Sequence, residues 1–130
     1  MSLDVAPRLL EQAEAGEVDQ TAFADTVAAS LPYAHTMVEK LAAELHADPA
    51  KQFADNQIAP SEAERGQLLR ALASDSIRGS LERRFAVKLA FQNCHRVAVF
   101  RPEAADSEAY RRFTSERAQI LNQSPEFRDC

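Results

Sequence analysis

VKLAFQNCHRVAVF, residues 87–100, decides how the chain is read. As a helix it places Val87, Ala90, Phe91, Cys94, Val97 and Ala98 on one face. As strands, VKLAFQ alternates apolar and polar positions, and the β-branched HRVAVF pairs with it across Asn93-Cys94. Length favours the strands. The helical pattern upstream starts at residue 62, and a helix from 62 to 100 would hold 39 residues, about three times the mean. The reading is therefore a β-hairpin. A hairpin alone is marginal in water, so it must lie on helices or pair across a dimer.

Upstream, Ser61 and Glu64 in SEAE form a capping box, the clearest helix start in the chain. The helix it opens keeps Leu68, Leu69, Leu72, Ala73, Ile77, Leu81 and Phe85 on one face for about five turns. Gly66 and Gly79 each cost that helix about 1 kcal/mol relative to Ala. Gly79 is read as a place where another backbone passes close.

Three shorter helices precede it. Residues 6–15 begin with Pro7 in the first turn and end at Gly16. Asp19 caps a helix to about Ala29, with Phe23 and Val27 on one side. Ser30 is the expected cap of a third, whose apolar line is Ala34, Met37, Val38, Leu41 and Leu45. Residues 46–61, HADPAKQFADNQIAPS, break the pattern between Pro49 and Pro60 and read as an irregular connection. A last helix spans about 107–122, with Tyr110, Phe113, Ile120 and Leu121 inward. The tail 123–130 is polar. The fold class is mainly α: one helical domain, residues 1–130, of about five helices with a hairpin at 87–100.

At 130 residues, 45% of them apolar, the chain can bury a substantial core. No run approaches the roughly 18 apolar residues of a membrane span. The start, MSLDVAPRLLEQ, carries Asp4 and Pro7 where a signal peptide needs positive charge and an apolar stretch. Phe127 stands where a prenylation signal needs cysteine. These features point to the cytoplasm, where two cysteines imply neither a disulfide framework nor a zinc site.

The net charge of −5 is unevenly spread. Residues 1–64 hold three basic and twelve acidic side chains, a net of −9; residues 65–130 hold twelve basic and eight acidic, a net of +4. The basic excess peaks in Arg78, Arg83, Arg84, Lys88, Arg96 and Arg101, opposed only by Glu82 and interleaved with Phe85, Phe91 and Phe100. Two readings compete. The six cations form an accessible surface for a protein partner, or for nucleic acid through phosphate contact and stacking. Alternatively, the acidic half and the basic stretch neutralise each other within one molecule or between two copies.

Candidate chemistry is thin. Cys94 and His95 are adjacent, so their side chains diverge in either a strand or a helix, and His95 is poorly placed to activate the thiol. Cys94 reads as packing, with a thiol redox switch as the alternative. His35 and Glu39 make an i,i+4 pair, but His46 is eleven residues from His35, about 16 Å along a helix, too far to share an ion. No GxSxG, phosphate loop or acidic pair in an apolar setting is present. The expectation is a non-enzymatic interaction or regulatory protein with no metal or cofactor, a protein partner or self-association, and no membrane contact.

FADNQ (53–57), RGQLLRALASD (65–75), LAFQNCHRVAVF (89–100) and LNQSPEFRDC (121–130) together resemble a family of small, uncharacterised actinobacterial proteins of about this length. The resemblance covers nearly the whole chain. It implies a bacterial, cytosolic setting and brings no reaction, ligand or catalytic residue.

Overall fold

The computed structural model describes residues 3–92 and 96–122. In chain order its elements are α1 (Pro7–Glu14), α2 (Gln20–Ser30), α3 (Pro32–Ala47), β1 (Phe53–Asp55), α4 (Glu62–Ala73), α5 (Asp75–Phe85), β2 (Lys88–Gln92), β3 (Arg96–Phe100), a 3₁₀ turn (Pro102–Ala104), α6 (Glu108–Phe113) and α7 (Glu116–Leu121). The molecule is mainly helical, and Lys88–Gln92 and Arg96–Phe100 are strands as read, while the turn expected at Asn93-Cys94 lies outside the described residues. β2 pairs antiparallel with β3, with Ala90 opposite Ala98 and Gln92 opposite Arg96.

The hairpin is stabilised by a third strand. β1 lies on the far side of β3, with Phe53 opposite Phe100 and Asp55 opposite Ala98, giving the order β1-β3-β2. The connection at 46–61 is thus partly a strand. β3 is central, and Val97 to Phe100 are fully buried on both faces, which explains a continuous apolar run where a half-exposed strand would alternate. One face of the sheet, Ala54, Leu89, Val97 and Val99, packs on the apolar sides of α2 to α5. The other holds Ala90, Ala98 and Phe100 against Phe113 of α6. Phe100 stacks on Phe53 and meets Tyr110 and Phe113 edge-on, with ring centres 5.1, 5.1 and 5.9 Å away.

Two long helices expected from periodicity are each broken. Residues 62–85 split at Ser74, whose extended backbone and side chain, accepting from the Ile77 amide at 3.3 Å, start a new helix. Periodicity persists across the break because both pieces bury the same side. Residues 107–122 split likewise, with Ser115 capping α7 through the Ala118 amide. After that break Ile120 and Leu121 are 69% and 59% exposed rather than inward.

The third helix starts differently from expectation. Ser30 ends α2, and its hydroxyl accepts from the Asp4 amide. The first amides of α3, Tyr33 and Ala34, donate instead to the Gln67 carbonyl oxygen of α4 at 2.8 and 3.2 Å. A tertiary contact does the work of a local cap. The capping box at Ser61 and Glu64 and the cap at Asp19 form as read. Gly16 takes a φ of +81°, a left-handed turn that glycine adopts without penalty. No helix among the described residues is long and apolar enough to cross a membrane.

Candidate functional site

Each of the six basic residues has a partner inside the chain. Arg78 donates to Asp75 at 2.5 Å and to the Leu72 carbonyl at 2.8 Å, closing the end of α4. Arg84 pairs with Asp25 of α2 at 2.6 Å. Lys88 lies 3.7 Å from Glu82, whose carboxylate also accepts from the Leu89 amide. Arg96 clamps Asp55 through Nε at 3.0 Å and through a second, terminal nitrogen, and lies over the Phe113 ring at 5.9 Å. Arg101 reaches the Leu45, Asp48 and Lys51 carbonyls at 2.7, 2.8 and 2.9 Å. It thereby caps the C-terminus of α3, where unpaired carbonyls and the helix dipole favour a cation.

The structure brings four of the six together two at a time: Arg78 and Lys88 line one niche with Phe91 and Tyr110, and Arg83 and Arg84 line another. Arg83 and Arg84 face α2, Arg96 faces β1 and α6, and Arg101 faces the end of α3. The charge split has a structural meaning: Arg84–Asp25, Arg96–Asp55 and Arg101 on residues 45–51 all tie the basic half to the acidic half. Cys94, the redox candidate, and His95 lie outside the described residues.

Arg83 differs from the other five. Its partner is neutral, the Gln20 side-chain oxygen at 2.9 Å, and among the described residues no carboxylate pairs with it. A Cβ at Gly79 would meet its terminal nitrogen at 3.3 Å, so the close neighbour of that glycine is this side chain and not a passing backbone.

Arg83 stands at one side of an open apolar cleft of about 500 Å³, within the range of small-molecule sites. Leu9, Leu10 and Ala13 of α1 form one wall; Leu3, Val5 and Val18 extend it; Phe23 of α2 lies opposite. Its polar lining is Gln20, Ser76 and Arg83. The cleft exists because α1 stands off the body. No element packs along α1 as closely as α2 packs on α3 and α5, and Leu9 alone of its side chains is buried. Val5, Leu10 and Val18 remain 44%, 53% and 38% exposed. A smaller polar niche lined by Gln20, Thr21, Ala24, Ser80, Arg83 and Arg84 adjoins it across the Arg83–Gln20 contact.

His35 packs its ring on Phe85 at 5.1 Å, and its Nε2 is buried without a hydrogen-bond partner. Burial, reinforced by the Arg84 charge, lowers its pKa, while Glu39 and Asp25 act weakly in the opposite sense. A neutral ring against an aromatic neighbour is a packing residue. Burial raises the Tyr33 phenol pKa, with Glu64 adding to it. Among the described residues no three His, Cys, Asp or Glu side chains gather as a metal site requires.

A family model described as NucS shadow ORF matches residues 1–130. The chain belongs to this family. The description carries no ligand or reaction. Comparison with curated proteins and with solved structures gave no match.

The sequence reading missed the cleft. The signal was available in Leu9, Leu10, Val18 and Phe23, more apolar residues than a short terminal helix needs to cover itself. That they leave a gap is a matter of tertiary placement.

Proposed function

We propose that this protein is a non-enzymatic binding protein whose recognition site is the apolar cleft beneath α1. The carrying observation is that cleft: about 500 Å³, lined mainly by leucine, valine and phenylalanine, with Gln20, Ser76 and Arg83 as its polar lining. The internal pairing of the basic residues argues in the same direction. A protein or nucleic-acid partner drawn to residues 78–101 would have to compete with contacts that already hold helix ends and strands together.

Nile red, a neutral apolar dye, tests the reading. It should bind saturably with one site per chain, and Leu10→Asp should abolish binding. Leu10 is half-exposed, so the variant should unfold at nearly the wild-type urea concentration. Absence of saturable binding, or a Leu10→Asp protein that binds normally, rejects the proposal.

The family description supports a second reading. The description names a shadow ORF of NucS, and the second reading is that such a frame is not made as a working protein. Targeted mass spectrometry of native host lysate for QFADNQIAPSEAER (52–65) and ALASDSIR (71–78) separates the two. Detection at steady level favours a working protein. Their absence where NucS peptides are found favours the second reading.

A further inference from the structure

We infer that the cleft takes a single-chain amphiphilic monoanion, with its tail between α1 and Phe23 and its acidic head on the Arg83 guanidinium. The inference rests on the cleft being a binding site and adds the chemical class of its ligand.

Three observations lead there. The lining is mixed: leucine, valine, alanine and phenylalanine make most of it, and Gln20 and Arg83, hydrogen-bonded to each other, supply a polar side. A purely apolar ligand would leave that side unused. Arg83 is also the cation available at this place. Arg78, Arg84, Lys88 and Arg96 face carboxylates, and Arg101 is taken up by three carbonyls. Among the described residues Arg83 has only the neutral Gln20 oxygen, which uses one of five guanidinium donors. A carboxylate head would gain charge-assisted bonds without displacing an ion pair. Finally, the adjoining niche shares Arg83 and Gln20 and adds Thr21, Ser80 and Arg84. The head therefore sits at a polar junction open to water rather than in a dry pocket, which lowers the desolvation cost of an anion.

The dimensions favour one modest chain. α1 has eight residues and is about 12 Å long, so the wall it offers suits a medium-length alkyl tail.

Decanoate and decanol, matched in length and differing in head-group charge, make the test by displacing Nile red from the full chain at neutral pH. Decanoate should compete about tenfold more strongly than decanol, the low end for a hydrogen bond to a charged group at an exposed site. Arg83→Gln should bring decanoate down to decanol, the ratio of the two being read within each protein. Arg112→Gln, at a residue on α6 already paired with Glu108, should keep the preference. If decanol competes as well as decanoate, or Arg83→Gln keeps the tenfold ratio, the head-group assignment fails while the cleft reading stands. If neither compound nor the dye binds, both fail. A dimer in light scattering that Leu10→Asp dissociates would give the cleft to a second copy and overturn the inference.

Discussion

Asp55 and Arg96 offer the sharpest measure of what the basic side chains do. Asp55 lies on β1 with its side chain 11% exposed; Arg96 begins β3 at 39% exposed. Asp55 also accepts from the Gln57 side chain at 2.8 Å. Asp55→Ala removes two charge-assisted bonds to one guanidinium, each worth about 1.5–3 kcal/mol when fully buried. Arg96 is more than a third exposed, so water and the Phe113 ring recover part of that, and solvent screening reduces the rest. The expected loss is about 1–2 kcal/mol of unfolding free energy. Urea unfolding followed by far-ultraviolet circular dichroism reads it directly. A double-mutant cycle with Arg96→Ala should give a coupling of about 1 kcal/mol. The pair Asp75–Arg78, with Asp75 94% exposed, should give at most about 0.5 kcal/mol in the same assay. Equal coupling in the two pairs, or none at Asp55–Arg96, would refute the argument that these arginines act as internal staples.

Three further outcomes follow from local geometry. Ser74→Ala removes the cap that starts α5 and should cost about 1 kcal/mol, read as a lower urea midpoint with unchanged slope. Ala86 ends α5 at a φ of 53° and is exposed; Ala86→Gly relieves left-handed strain of about 1–2 kcal/mol against a smaller gain in unfolded-chain entropy, and should raise stability by roughly 0.5–1 kcal/mol. Burial holds the His35 pKa below its ordinary 6.5, so below pH 6.5 the unfolded chain binds more protons than the folded one. Stability should be flat above that pH and fall on acidification until the folded-state pKa is passed, and His35→Phe should remove that part of the slope in unfolding measured from pH 7.5 to 5.

Residues near in sequence carried the readings that held. The capping box at Ser61, the Asp19 cap, Gly16 and the hairpin at 87–100 depend on groups a few positions apart, and all form. Two of the readings that gave way turned on distant residues. Ser30 lost its expected role because Gln67, far along the chain, reaches the α3 amides first. β1 was unreadable because three residues become a strand only when β3 offers an edge. Periodicity alone could not show the break at Ser74, since helices that bury the same side keep the same spacing on both sides of a break.

The amino-acid order by itself determined a mainly helical chain, its local caps and the opposed charge of its halves, because propensity, capping and net charge are sums over neighbours. Tertiary structure alone decided which carboxylate or carbonyl the arginines of 78–101 would meet, and that Arg83 would pair with no carboxylate among the described residues. It also decided that α1 would stand away from α2 and α5 and leave a cleft. Those outcomes depend on distances between segments tens of residues apart, which only the packed core sets.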